Sequence, residues 1–370
     1  MRTGVHMASL SNLCLVVRAA GGLGATFLLG VIVAGGIAAC GGKSPTGPSN
    51  GDKSRAFFVA TTGSDENPGT VGSPWLTLRH AVSRLRPGDT LYLRGGTYTG
   101  FDNTVDSQTG PVPSGTTWSN AVTIASYRGE RATIRPPNNI SAVRLTTGAP
   151  AYLIFADLTI DMAESEVGAD ATGVFVDGGH HIRLLRLDVA NSKTFGVGFS
   201  ENSEFNEVIS SKIHDSGYAG SDITIGHGLY ISGGNNLFED NDVYDNQGYG
   251  MHLYNNHGPF SVRRNTVRNN RFWNNGLHGG AAYGIVVAWG ADNVIENNVF
   301  HTNPGGILVY TNSTRAILQN NTIYGNRPLQ GILIQEASGT IVRNNAVYSN
   351  ETDIVDLGAD TQLANNRNSP

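Results

Sequence analysis

Cysteine is almost absent from this chain. The 370 residues contain two, Cys14 and Cys40, and both fall in the first forty positions. Beyond residue 40 there can be no disulfide and no thiolate metal site, so stability has to come from packing. Apolar runs are short as well. The apolar stretch Ala25 to Ala39, which carries no charge, is Gly-rich and too short for an ordinary bilayer span. An excess of positive charge is also lacking, with 25 Lys and Arg against 30 Asp and Glu, a net of −5. Removing residues 1–40 takes away Arg2 and Arg18 and no acid, leaving 23 against 30, or −7. That balance argues against a nucleic-acid binder. Helical periodicity is missing between Gly173 and Ile354, and lysine is missing from the repeated strands there, Lys193 and Lys212 falling at corners.

What is present is repetition, every 22 to 34 residues. Units open on Gly and an alternating apolar pair: Gly173-Val-Phe-Val, Gly196-Val-Gly-Phe, Gly228-Leu-Tyr-Ile, Gly250-Met-His-Leu, Gly284-Ile-Val-Val, Gly306-Ile-Leu-Val and Gly331-Ile-Leu-Ile. From Asp240-Asn-Asp-Val-Tyr to Asn344-Asn-Ala-Val-Tyr they close on an Asn-rich turn. A fixed period of this size marks a solenoid, in which no single repeat buries its apolar face alone. Inside each unit the period is two, which predicts short strands. Asn tolerates the left-handed backbone of a sharp corner, and stacked Asn side chains can bond along the axis. The fold expected is all-β, a single-stranded parallel β-helix.

The ends differ from the repeats. Residues 1–40 read as an export signal, and Ile37-Ala-Ala-Cys40-Gly41 resembles the lipobox of bacterial lipoproteins. That resemblance implies lipidation at Cys40, a membrane partner through it, and a place at the cell envelope facing outside the cytoplasm. Gly rather than Asp at position 41 favours outer-membrane sorting where such a membrane exists. Residues 41–55 read as a flexible tether, 56–100 as an N-terminal cap and 101–370 as the solenoid. In the cap, Phe57-Phe-Val-Ala predicts a strand. Leu76, Leu78, Ala81, Val82 and Leu85 predict an amphipathic capping helix ended by Pro87-Gly88, and Asp89 to Arg94 predicts a second strand before a turn at 95–98.

Gly63-Ser-Asp-Glu-Asn-Pro-Gly-Thr, Pro87-Gly-Asp-Thr and Arg94-Gly-Gly-Thr-Tyr resemble the entry segment of secreted right-handed β-helix proteins, among them family-nine pectate lyases and relatives of chondroitinase B and alginate lyases. The resemblance implies a right-handed β-helix and a polysaccharide partner. It carries over no catalytic residue, because the Lys base and the calcium-binding sets of those lyases have no counterpart here. Gly226-His227-Gly228 is similar to the Gly-His-Gly strand of polygalacturonases, but the three catalytic Asp of that family are missing.

Strand alternation locates a candidate site. With Leu229, Ile231, Met251, Leu253, Ile285 and Val287 inward, Tyr230, Ser232, His252, Tyr254, Val286 and Ala288 face outward, and Tyr230, His252 and Tyr254 share one face. Two long links at one corner, Asp215 to Gly228 and Asn275 to Gly284, bracket the Gly250 coil and can wall a cleft over that face. Tyr218, Asp222, His278, Tyr283 and Trp289 then join it as substrate contacts, Trp289 by stacking on a sugar. A His–Tyr set suits β-elimination from a uronate or the related C5 epimerisation: His252 as base, Tyr254 or Tyr230 as acid, His227 assisting. The alternatives are a non-catalytic glycan binder or structural protein, in which these rings form a stabilising ladder, and a hydrolase of the polygalacturonase type.

Four arginines follow on the same coil. Aligning the Asn turns puts Arg268 beside Glu239 and Glu296, and Arg271 beside Asp242, as cross-coil ion pairs. Arg263 and Arg264 remain to meet a substrate carboxylate. No cofactor is predicted. Calcium is possible at Asp240, Asp242 and Asp245, but outward acids on a turn are usually solvated and no Gly-spaced loop surrounds them. The chain is expected to be a monomer.

Overall fold

The computed structural model describes residues 54–370 except 167–170, 219–224, 256–260 and 279–280. Each coil consists of three short strands joined by three corners, as in Leu237–Glu239, Asp242–Tyr244 and Met251–Tyr254. Equivalent strands of successive coils pair in parallel, producing a first sheet of twelve strands and a second and third of ten each. In the first two sheets the middle residue of the triplet points inward, like Phe238 and Val243. In the third the flanking residues do, like Leu229 and Ile231 around Tyr230. The buried residues form one continuous column, with Phe272 and Phe300 stacked 4.9 Å apart inside it.

The corners explain the Asn pairs. At the first-to-second corner the leading residue (Asp240, Asn269, Asn297, Asn320, Asn344) sits at φ of 56–59°. The following Asn is buried and reaches along the axis. Asn270 Oδ1 accepts from the Asn241 backbone N–H at 2.9 Å, while Asn270 Nδ2 donates to the Phe238 carbonyl and to Asn298 Oδ1, both at 2.9 Å. Two more ladders run at the other corners, through Asn246, Asn275, Asn303, Asn326 and Asn350 and through Asn206, Asn236, Asn265 and Asn293. Backbone groups that the turns leave unpaired are thereby bonded inside the corner.

The cap helix is shorter than its spacing predicts, Leu78–Val82, with Thr77 as N-cap. Leu78, Ala81, Val82 and, after the helix, Leu85 close the core, whereas Leu76 is exposed. Asp65 stops the helix from starting earlier by accepting from the backbone N–H of Leu76 and Thr77 and from the Thr77 hydroxyl. The expected turn at 95–98 is strand: Gly96–Thr99 opens the second sheet, and Ala56–Val59 and Thr90–Leu93 open the first. Lys212 likewise begins a strand, Lys212–His214, so the expectation that no repeated strand carries Lys does not hold. The ion pairs of Arg268 with Glu239 (2.7 Å) and Arg271 with Asp242 (2.6 Å) are formed. Among the described residues no helix is long and apolar enough to cross a membrane.

Candidate functional site

The outer face of the third sheet is built from three columns. One comes from the residue before each opening Gly: Phe195, His227, Tyr249 and Tyr283. The next is the middle of each strand, where Phe175, Gly198, Tyr230, His252 and Val286 are register partners. The last is two residues further along each coil, at or just past the strand end: Asp177, Ser200, Ser232, Tyr254 and Ala288. Glycine opens each strand because the backbone of the next coil leaves no room. A Cβ on Gly250 would lie 2.6 Å from the Gly284 carbonyl oxygen and 2.9 Å from Phe272.

Two hollows lie end to end on this face. One, of about 390 Å³, is lined by Phe175, Asp177, Phe195, Ser200, Glu201, Asn202, Ser232 and Asn255 together with Tyr230 and Tyr254. The other, of about 520 Å³, is lined by Tyr249, His252, Ala281, Tyr283, Val286, Leu308, Tyr310, Leu333 and Gln335, again with Tyr230 and Tyr254. Tyr230 and Tyr254 therefore stand at the junction of one groove that runs across several coils. His252 stacks on Tyr254 at 4.8 Å and meets Tyr230 edge-on at 5.3 Å. Its Nδ1 is enclosed with no hydrogen-bond partner, and burial pushes its pKa down to about 3. Burial also raises Tyr230 and Tyr283 to about 12, so both phenols stay protonated. No Lys or Arg is among the described lining residues.

The profile described as "Right handed beta helix region" matches residues 154–314 and 271–368, more than half of the chain. The chain belongs to this right-handed β-helix family. A second profile, "Pel9A-like, right handed beta helix region", matches residues 57–224. This β-helix is similar to pectate lyase PEL9 of Emericella nidulans, 35% identical over 78 residues, which is 21% of this chain and 18% of that protein. Under a fifth of that relative's length is therefore spanned. It also superposes on a solved rhamnogalacturonan lyase, with TM-score 0.57, 16% identity and coverage of 84% of this chain and 87% of that one. Pectate lyase Pel9A gives TM-score 0.53 and 18% identity, covering 84% and 79%. At such identities the likeness is one of fold.

The β-helix brings Tyr230, His252, Tyr254 and Tyr283 together as the alternation predicted. Tyr283 is buried against the groove, and its hydroxyl donates to Gln330 Oε1 at 2.9 Å. The link 275–284 does form part of the wall, through Ala281 and Tyr283. Other expectations need correction. His227 is fully enclosed between the rings of Phe195, Tyr230 and Tyr249, and its Nδ1 accepts from the Tyr249 backbone N–H at 2.9 Å, so it supports the groove without lining it. Its place next to Gly228 is structural. His252 as base is disfavoured too, since a ring so reluctant to bind a proton abstracts one weakly. Arg263 does not wait for a substrate carboxylate. It pairs with Glu204 at 2.9 Å, two coils back. Arg264 is exposed at a corner where Asp292 feels its charge, and lies off the groove. Trp289 packs at the edge of a small apolar cluster beside Ala288, and Tyr218 and the exposed His278 are not lining residues either. Asp242 and Asp245 are engaged by Arg271 and Asn274. Asp222 and Cys40 lie outside the described residues.

The residues missed from sequence are Tyr249, Phe175, Phe195, Asp177 and Glu201. The first and third were within reach. Each precedes a strand-opening Gly, the offset already occupied by His227 and Tyr283. Asp177 was also within reach, at the offset of Ser232 and Tyr254, whereas Glu201 was not, because it sits in a corner whose direction only the folded coil sets.

Proposed function

We propose that this β-helix acts on a polysaccharide laid along the third sheet, with the reacting bond over Tyr230 and Tyr254. The observation that carries this is their position at the junction of the two hollows, where a chain filling both would place a glycosidic linkage. β-Elimination from a uronate is the chemistry that the names of the similar lyases support. The C5 proton leaves, the C4–O bond breaks, a C4–C5 double bond forms, and the departing oxygen takes a proton. Tyr230, kept protonated by burial, is the donor to that oxygen, and Tyr254, acting as the phenolate after its own proton has passed to solvent, takes the C5 proton while neutral His252 holds its ring in place. The test is incubation with pectate, alginate and rhamnogalacturonan, followed by ultraviolet absorbance of unsaturated ends and by NMR for inversion at C5. Tyr254→Phe should lower turnover at least a hundredfold with an unchanged melting temperature, and silence of the parent protein across the panel would sink the reading.

One observation favours a second reading. With no cation among the described lining residues, the groove offers Asp177 and Glu201 instead, held by Ser200 Oγ and by Asn255 Nδ2 (3.0 Å). Two carboxylates in one hollow suit hydrolysis of a less acidic glycan. New reducing ends without unsaturation, lost in Asp177→Asn but kept in Tyr254→Phe, would decide for it. We also propose export and lipid attachment through Cys40, which rests on residues 1–41. A Cys40→Ser protein that still incorporated labelled acyl chains would overturn that.

A further inference from the structure

At the corner from the third sheet into the first, one residue per coil adopts the left-handed backbone. On three consecutive coils that residue is aromatic: Tyr152, His181 and Phe205, at φ of 53°, 56° and 58°. Bulky side chains are uncommon in that region, where Asn or Asp is tolerated far better, and the next coil indeed places Asn235 there at φ 57°. Local backbone preference therefore does not account for Tyr152 and Phe205, although histidine is better tolerated there. The three rings stack, Tyr152 on His181 at 4.6 Å and His181 on Phe205 at 5.4 Å. Trp118 closes the side of the stack, edge-on to Tyr152 at 5.6 Å. The stack ends at Phe205, which is 48% exposed. On the coil beyond it Asn235 Nδ2 donates to one oxygen of Glu204, whose other oxygen accepts from Arg263 at 2.9 Å.

A half-exposed ring at the end of a stack, with a carboxylate, a guanidinium and an amide beside it, is an arrangement that can receive a pyranose: the apolar C–H face of the sugar lies on the ring and its hydroxyls meet the polar rim. We propose that Phe205, with Glu204 and Asn235, is a second carbohydrate-binding site, separate from the groove. Phe205 lies on the same turn as Ser200, Glu201 and Asn202, which wall the groove, so a polymer held at Phe205 is kept next to it. The site binds without reacting, and its existence does not depend on the chemistry assigned to Tyr230 and Tyr254.

The experiment is affinity electrophoresis of the protein through gels cast with xylan, pectate or alginate. Phe205→Asn should weaken retention roughly tenfold, the worth of one good aromatic contact. Its melting temperature should hold or rise, because Asn accepts the left-handed backbone. Phe205→Tyr should retain binding, and turnover of a short oligosaccharide in the groove should be unaffected by either change. Undiminished retention of Phe205→Asn would overturn the site. So would a parent protein that none of the polysaccharides retards, or a loss of retention that tracks a lower melting temperature.

Discussion

Two histidines sit in opposite electrostatic settings in this molecule, and each setting dictates a different charge. His214 lies between two carboxylates, with Nε2 2.9 Å from Asp188 and Nδ1 2.6 Å from Asp215, and its ring stacks on Tyr244 at 4.7 Å. Burial works against the charged form, but the two bonds outweigh it and raise its pKa above 6.5. Asp188 is held below 3.8, chiefly by the same bond. The clamp's contribution is therefore complete below pH 6.5 on the histidine side and is lost as pH rises through the raised value. On the Asp188 side it is lost as pH falls below 3.8. Melting temperature should fall on raising pH above 6.5, and His214→Phe, which keeps the stack, should flatten that fall. His252 has the opposite sign. Its folded value of about 3 lies below the 6.5 of an exposed ring, so the unfolded chain binds the extra proton and stability drops as pH falls between those values. In His252→Phe, urea midpoints measured across that window should show a shallower drop. The position of His252 on the third face was legible from the alternation, but its proton affinity was not, because that depends on how Tyr230, Tyr249 and Tyr254 enclose it.

Within the coil, corners matter as much as strands. A buried Asn that serves the backbone of one neighbour and the side chain of another cannot be trimmed cheaply. Asn270→Ala would strand the Asn241 N–H and the Phe238 carbonyl. A loss of about 2–3 kcal/mol is expected in the denaturant midpoint, against near zero for an exposed polar residue. Gly250→Ala should cost about 1–3 kcal/mol by forcing the Gly284 backbone away, although Gly250 has an ordinary φ. Stacked rings run along more than one side of the coil. On the second sheet His214, Tyr244, Trp273, His301, Tyr324 and Tyr348 stack at 4.4–6.1 Å, each nearly parallel to the next. Tyr230 and His252 are instead nearly perpendicular, at 87°. The third face thus holds a parallel stack of Phe195, His227 and Tyr249, each within 9° of the next, beside the crossed pair of Tyr230 and His252, and a longer ladder runs on the second sheet.

At the scale of the molecule, a column of coils is only as stable as its closed end. Leu78 is fully buried where the cap helix meets the core, while Leu76, two residues earlier, is 37% exposed. Leu78→Asp should therefore destabilise by roughly 3–5 kcal/mol or prevent folding, and Leu76→Asp should shift the unfolding midpoint by no more than about 0.5 kcal/mol. Equal effects of the two would mean that the helix does not seal the core.

The repeats by themselves determined a great deal. Period, alternation and Asn corners have a local physical cause, namely that each coil must turn three times and bury one face, so the parallel β-helix, the cross-coil pairs of Arg268 and Arg271, and the shared face of Tyr230, His252 and Tyr254 could all be read from residue spacing. Tertiary structure alone decided what depends on the neighbouring coil. Arg263 was taken up by a Glu204 two coils away, His227 was sealed between rings, Glu201 was turned into the groove, and the Tyr152–His181–Phe205 stack was assembled from residues that no repeat pattern marks. Spacing along the chain specifies which side of a strand a residue faces. What that residue then touches is specified by the coil stacked against it.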